Sequence, residues 1–361
     1  MTARAQVLAR HWPDPGPAWL HGQAPLDPEK IFPGAGSALA DRRPPTIEWY
    51  SSATNELEKA YAERREDMVD LVQLLHYAFG RFPKFPIPAL EVRMSNVAGM
   101  VMRDVESPAH LWFASRAHAL SIEGSFEWAM AASERAHALS DAGFWQVAAG
   151  IVATTRSVVE DGTLDKETKA LAAAVLEGQG AWIPFRQIQR DVRRNRRKAR
   201  TAPNDQFRKW NRSASESIER IRAAANDGSQ AYAWLHNAEQ LEVLKALYAK
   251  TPGGVGGNEL WAPFRRAQEL YARCDELSWR LQWMLIELEV YRDSRRFDAF
   301  CDAATRFIDD FNRQPGFPNA RRRLLAEVAE AEKLAKRKSW PNLSLPDIVA
   351  QREWVRGQVD A

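Results

Sequence analysis

Residues 115–121 read SRAHALS and residues 134–140 read ERAHALS, so the five-letter core RAHAL returns after nineteen residues. That interval is close to one helix plus one turn, which places both copies at equivalent positions on consecutive antiparallel helices. Alanine is the best helix former and allows two helices to approach closely. The repeat therefore predicts a helical array in which neighbouring helices pack through small side chains.

The second copy lies in GSFEWAMAASERAHALSD (124–141), which resembles the second-helix half of a tetratricopeptide repeat. Ala129 and Ala136 match the family's two signature alanines. With that alignment, the preceding helix matches three further signature positions in kind, namely Leu120 at the tyrosine, Ala117 at the glycine and Phe113 at the tryptophan. The departures are Arg116 for leucine, Ser133 for a large aromatic residue and Asp141 for the closing proline.

A second, poorer resemblance occurs at 285–311, where Phe297 follows a turn-like DSRR and precedes Ala303, Ala304 and Phe307. Together the two stretches cover roughly a quarter of the chain, and the motif is degenerate. The resemblance implies an α-solenoid-like scaffold and no particular activity.

The repeated histidines also suggest a metal site, because a di-iron helical bundle uses a Glu-x-x-His pair from each of two helices. Glu134 and His137 form one such pair, but Ser115 stands where the matching glutamate would precede His118. We therefore interpret His118 and His137 as residues of packed helices, and we expect no metal and no cofactor.

The 361 residues carry a net charge of +3, with 45% hydrophobic and 27% charged residues. Such a composition is typical of a soluble protein, and no stretch has the ~18 uncharged apolar residues that a membrane-spanning helix needs. The only cysteines are Cys274 and Cys301, which excludes a disulfide framework within the chain. We expect a cytoplasmic protein that does not insert into a membrane.

The distribution of proline and glycine divides the chain into five segments. We predict a proline-rich extended arm at 1–46, an N-terminal helical array at 47–183, a basic helix-loop at 184–212, a C-terminal helical array at 213–340 and a C-terminal tail at 341–361. No alternating strand pattern of useful length occurs, so the predicted fold is all-α. Its predicted architecture is a solenoid-like array of antiparallel helices.

Eight of the twenty prolines lie within residues 1–45, where they forbid a continuous helix. Trp12, Trp19 and Phe32 punctuate this arm, and a mere solvated linker would not carry three large aromatic residues. Two interpretations stay open, namely packing on the chain's own helices and docking to a partner subunit.

Motifs of known catalytic chemistry are not evident. The glycine-rich TPGGVGGNE (251–259) lacks the lysine and hydroxyl of a phosphate-binding loop, and His236 with Glu239 forms only a lone H-x-x-E pair. Both cysteines fall on predicted amphipathic helices rather than at a turn where a thiolate would be activated. We predict that the protein is not an enzyme.

The most distinctive feature is the basic segment PFRQIQRDVRRNRRKARTAPNDQFRKWNR (184–212). Its residues 186–200 include eight basic side chains and one acidic side chain, an excess larger than the net charge of the whole chain. Phe185, Ile188 and Val192 fall on one helical face, and beyond Val192 the apolar stripe ends, where we expect the helix to fray.

The guanidinium group suits phosphate oxygens, and interleaved aromatic rings can stack on bases. The candidate residues for binding nucleic acid or an acidic partner are Arg186, Arg190, Arg193, Arg194, Arg196, Arg197, Lys198, Arg200, Arg208, Lys209, Trp210 and Arg212. A solvated basic loop, or pairing with acidic helices of the same chain, is the alternative.

Two functions follow from these patterns. The first is a non-enzymatic helical-repeat scaffold that binds other protein subunits through its helical face and its arm. The second is a nucleic-acid-associated subunit in which residues 186–212 contact the phosphates of DNA or RNA without reading the sequence.

Overall fold

The structure is a computed structural model that describes residues 18–40, 44–63, 65–82, 88–105, 107–194, 204–227, 234–248, 258–274, 277–313 and 318–337. All regular structure in these ranges is helical, and they contain no strand, which confirms the predicted all-α class. The chain divides into two compact units, 1–187 with 224–231, and 188–223 with 232–361. None of the described helices is long and apolar enough to span a bilayer.

The first unit begins with a short 3₁₀ helix at Ala18–His21. Its α-helices are α1 (Pro28–Ile31), α2 (Ala35–Ala40), α3 (Ile47–Glu63), α4 (Met68–Arg81), α5 (Pro88–Asp104), α6 (Ala109–Leu120), α7 (Phe126–Asp141), α8 (Trp145–Asp161) and α9 (Lys166–Arg194), the last of which belongs to this unit up to residue 187.

The two RAHAL copies lie on α6 and α7, and each helix from α5 to α8 packs on the next. Ala117 and Ala136, the first alanine of each copy, are fully buried. Gly124 and Gly143 close the turns before α7 and α8 with φ angles of 82° and 88°, a conformation that glycine adopts without strain. The prediction that the repeat marks closely packed consecutive helices is confirmed.

The arm is not extended over its described part, because three short helices fold it back onto the first unit. The indole of Trp19 lies 5.8 Å from the His76 ring and 6.3 Å from the Phe113 ring, measured between centroids. Phe32 contacts Trp49 edge to face at 5.8 Å. Of the two interpretations, these contacts favour packing on the chain's own helices for Trp19 and Phe32. Trp12 lies outside the described residues.

Three predicted boundaries are wrong or incomplete, two in the first unit and one at the end of α9. Helical periodicity predicts one helix from Ile47 to about Gly80, but this helix is interrupted between α3 and α4, where Arg65 forms ion pairs with Glu56 and Asp67. The prolines of the 82–90 stretch predict a non-helical connection there, but the chain is helical from Pro88 onward, since proline is tolerated in the first turn of a helix. The expected fraying beyond Val192 does not begin there, because α9 continues to Arg194.

The second unit contains α10 (Asn204–Asp227, up to residue 223), α11 (Leu235–Tyr248), α12 (Asn258–Ala272), α13 (Leu277–Asp293), α14 (Phe297–Arg313) and α15 (Pro318–Arg337). Helix α10 begins at Asn204, earlier than the helical array predicted from 213, so residues 207–212 lie on a helix. The core between α13, α14 and α15 includes the fully buried Phe300 and Phe307. Ala303 and Ala304 of the second repeat-like stretch are buried in this core.

Arginine–carboxylate pairs join neighbouring helices in both units. Glu177 on α9 is 3% exposed and accepts a 2.9 Å hydrogen bond from Arg156 on α8. Glu287 on α13 is 1% exposed and accepts a 2.7 Å hydrogen bond from Arg306 on α14. Further pairs that join two helices are Arg93–Glu58, Arg116–Glu91, Arg222–Glu239, Arg266–Glu239, Arg280–Asp310 and Arg292–Glu327.

The contacts of Trp19 predict that the arm contributes to the stability of the first unit. Trp19→Ala should lower the free energy of unfolding by about 2 kcal/mol, because it removes a half-buried indole that covers His76 and Phe113. Leu26→Ala is the matched control, since the Leu26 side chain is fully exposed in the same arm and should cost less than about 0.5 kcal/mol. Denaturant unfolding measures both. Equal, negligible effects would contradict the packed arm and favour docking to a partner.

Candidate functional site

The second RAHAL copy carries a column of ionisable side chains on one face of α7. Glu134, His137 and Asp141 follow one another at intervals of three and four residues, so they lie above one another on the helix. Together with Arg103, His110 and Arg186 we call them the His–carboxylate cluster. The cluster draws one or more residues from each of α5, α6, α7 and α9.

Each carboxylate of the cluster binds one arginine and one histidine. Glu134 accepts a 2.8 Å hydrogen bond from Arg103 Nη1, and its other oxygen lies 3.3 Å from His110 Nε2. Asp141 accepts a 2.6 Å hydrogen bond from Arg186 Nη1 and lies 3.2 Å from His137 Nε2. The two pairs adjoin, since the imidazoles of His110 and His137 are 5.7 Å apart.

Electrostatics keep both carboxylates of the cluster ionised. Burial raises the pKa of Glu134, but the attraction of Arg103 and the hydrogen bond from His110 outweigh it, so this pKa falls below its ordinary range. Desolvation likewise raises the pKa of Asp141, and Arg186 and His137 lower it well below its usual value. Arg103 and Arg186 therefore each neutralise a carboxylate of another helix.

The histidines of the two RAHAL copies are neutral. Burial lowers the pKa of His137 to about 4, with Arg186 adding to the effect against the opposing attraction of Asp141. Burial and the nearby Arg135 lower the pKa of His118 to about 4 as well. A guanidinium can only donate, so the 3.0 Å contact from Arg135 Nη1 makes His118 Nδ1 an acceptor. The arginine of the second copy thus binds the histidine of the first.

The structure supports the packing interpretation of these histidines. His118 stacks on Trp128 at a centroid distance of 5.3 Å, and His137 pairs with Asp141 on its own helix. Within the described ranges, no group of three or more histidine, cysteine, aspartate and glutamate side chains has a geometry that could hold a metal ion. The ion pairs and hydrogen bonds of the His–carboxylate cluster can hold α5, α6, α7 and α9 together.

The predicted nucleic-acid site is only partly accessible where the structure describes it. Arg186, expected to contact phosphate, is instead paired with Asp141 and its side chain is 20% exposed. Trp210, expected to stack on bases, is 2% exposed and packs against Phe207, so its ring offers no free face. Arg186 is therefore occupied by a carboxylate of the same chain, and the Trp210 ring is buried.

The other candidates of the basic segment divide into three groups. Arg208, Lys209 and Arg212 are exposed on the first turns of α10. Arg190, Arg193 and Arg194 belong to the last turns of α9, and their side chains lie outside the description. Arg196, Arg197, Lys198 and Arg200 lie outside the described residues.

His236 and Glu239 of the second unit, the lone H-x-x-E pair, have separate partners. His236 packs against the rings of Tyr271 and Trp279 at 5.0 and 4.5 Å, whereas Glu239 pairs with Arg222 and Arg266. These are packing and pairing roles.

The sequence patterns do not predict that Arg103 and Arg186, which lie on other helices, pair with the carboxylates of the cluster. Arg103 and Glu134 are 31 residues apart, and Arg186 and Asp141 are 45 residues apart, so no local pattern connects them. The one available signal was the spacing of Glu134, His137 and Asp141 on one helical face.

Comparison with family models, with curated proteins and with solved structures found no match to this chain. The tetratricopeptide resemblance therefore stays a prediction that rests on the residues quoted above.

The two neutral histidines predict a loss of stability in mild acid. The unfolded chain binds protons at histidine near pH 6.5, whereas folded His118 and His137 bind them only near pH 4. Stability should thus be fully present above pH 6.5 and should fall as the pH drops toward 4, by about 1–2 kcal/mol per histidine at pH 5.

Denaturant unfolding at several pH values tests this for the wild-type chain and for His118→Gln with His137→Gln. The double variant should show a flatter pH dependence between 7 and 5, and unfolding at pH 8 supplies the control for the substitutions themselves. A wild-type stability that does not change between pH 7 and 5 would show that both histidines protonate equally well in the folded chain.

Proposed function

We propose that the protein is a non-enzymatic helical scaffold, a subunit whose solenoid-like array of tetratricopeptide-type helices binds other proteins. The observation that carries the proposal is the stacking of α5, α6, α7 and α8, each on the next, through the buried alanines of the two RAHAL copies. Arrays of this kind expose one long face to partners. Both cysteines are free thiols, which suits the cytoplasm that we propose for this assembly.

The exposed apolar side chains of the array support this function. Trp112 on α6 is 41% exposed, Ile122 in the turn before α7 is 81% exposed, and Val147 on α8 is 52% exposed. They are large side chains on three successive parts of the array whose interior is lined by alanine. A partner that covers them would remove apolar surface from water, the main favourable term in protein association.

The alternative is a nucleic-acid-associated subunit. Its support is the exposure of Arg208, Lys209 and Arg212 at the start of α10, next to the arginine-rich stretch. Binding to phosphates would be steeply salt-dependent. Among the described residues this patch has three exposed cations, whereas about a thousandfold salt effect needs 6–10 phosphate contacts. We prefer the scaffold because its stacked helices lie within the described ranges.

The scaffold proposal predicts that Ile122→Glu with Val147→Glu will lose partner subunits. The tagged full chain would be purified from its native host, and its stoichiometric partners quantified by mass spectrometry after size exclusion. Both positions are exposed, so the unfolding midpoint should change by less than about 2 °C.

Glu123→Ala with Gln146→Ala is the matched control, because both residues are exposed neighbours on the same turn and helix; this variant should retain all partners. Equal partner recovery with the glutamate variant, or wild-type chain that elutes alone, would overturn the proposal.

A further inference from the structure

The DSRR turn between α13 and α14 has an unusual backbone. Arg295 has a φ of 60°, and among the described residues it is the one non-glycine residue with a positive φ. Arg296 N–H donates to Tyr291 O at 2.9 Å and Arg295 N–H donates to Arg292 O at 3.2 Å, which closes the end of α13. Helices that end in this way usually have glycine at the left-handed position.

The same chain uses glycine for its other left-handed turns. Gly124, with a φ of 82°, lies in the turn before α7. Gly143 has a φ of 88° just after α7, where Phe144 N–H donates to Leu139 O as Arg296 N–H donates to Tyr291 O. An arginine at this position is less stable than glycine, because its Cβ crowds the backbone. A strained backbone residue at a surface turn is a reason to look for a function of its side chain.

The neighbouring Arg296 is held against an aromatic ring. Its guanidinium carbon lies 3.9 Å from the centroid of the Trp261 ring at the start of α12. Trp261 is in turn fixed by Phe264, at 5.3 Å. An arginine stacked on an indole keeps its N–H donors directed outward in the plane of the guanidinium, where they can bind a carboxylate or phosphate.

The cations around Trp261 differ from five arginines of this unit that join helices. Arg222, Arg266, Arg280, Arg292 and Arg306 all form ion pairs with carboxylates. Arg295 and Arg296 are exposed and form no ion pair with any described residue. Arg265, one helical turn after Trp261 on α12, is also exposed and has no described carboxylate partner.

We propose that Arg295 and Arg296, with Trp261 and Arg265, form a binding site for an acidic segment of a partner protein. The guanidinium groups bind its carboxylates, and the indole positions the guanidinium of Arg296. The site deepens the scaffold function and rests on it, since it names the chemistry of one partner.

Charge around the site favours a peptide over a nucleic acid. Asp298, two residues after Arg296, and Glu269, one turn after Arg265, are exposed. Each would repel a continuous run of phosphates. A peptide can place a carboxylate opposite each arginine and keep uncharged residues opposite Asp298 and Glu269.

The test separates binding from stability, because the two should change in opposite directions. Arg295→Gly removes the strain of a positive φ at a residue with a Cβ, so it should raise the unfolding midpoint by about 2 °C. The same substitution, combined with Arg296→Gln, should weaken binding of the full chain to a fluorescein-labelled twelve-residue peptide of glutamate and leucine by about five- to tenfold. Fluorescence anisotropy at physiological salt measures that affinity.

Arg273→Gln is the matched control, since Arg273 is another exposed arginine at the end of α12, and it should bind the peptide as the wild type does. Equal peptide affinity of the double variant and the wild type would overturn the proposal. A twelve-nucleotide oligothymidylate that binds more tightly than the peptide and depends on the same arginines would overturn it in favour of a phosphate site.

This result is independent of the partner recovery described for Ile122 and Val147. If those variants keep their partners while the peptide still requires Arg295 and Arg296, the scaffold surface is wrong and the acidic-peptide site stands. If instead the Ile122 and Val147 variant loses its partners while the peptide binds without Arg295 and Arg296, the scaffold proposal stands and the peptide site is wrong.

Discussion

The structure depends on ion pairs between buried carboxylates and arginines of another helix, as at Glu177, Glu239, Glu287 and Glu327. A carboxylate with as little exposure as Glu177 or Glu287 loses nearly all of its hydration, a cost of several kcal/mol that an ion pair with good geometry offsets. Because the arginine comes from a neighbouring helix, the same contact that satisfies the charge also fixes which helices adjoin. Alanine packing alone is weakly directional, so these pairs add specificity to an array held together by small side chains.

The His–carboxylate cluster connects four helices through such pairs. Glu134 and Asp141 belong to one helix, yet their cations come from α5 and α9, and a histidine lies beside each of them. This explains why an Arg-Ala-His-Ala-Leu motif that suggests metal chemistry serves packing. The arginines occupy the carboxylates, and burial keeps the RAHAL histidines neutral. Against this background the exposed arginines of the DSRR turn contrast with the arginines that join helices, whose guanidinium groups are directed toward carboxylates.

Much of the fold could be predicted from local patterns. Helical periodicity, the alanines of the repeat and the glycines at 124 and 143 are properties of short stretches, and the structure has helices and turns where they indicated. The contacts of the arm were harder to predict, because prolines exclude a long helix but do not indicate where Trp19 packs. Burial of Trp210 could have been found, since Ala214 and Ile218 follow it at intervals of four residues and are also buried. The pairs across the array could not, because the partners are 31 and 45 residues apart.

The most direct test of this account is a double-mutant cycle on Arg103 and Glu134. The free energy of unfolding would be measured at pH 7 for Arg103→Met, for Glu134→Gln and for the two together. We expect each single substitution to cost about 3 kcal/mol because it leaves one charge without its partner, and the double variant to cost about 1–3 kcal/mol less than the sum. Strictly additive costs would show that the two helices are held by apolar packing alone and would contradict the account.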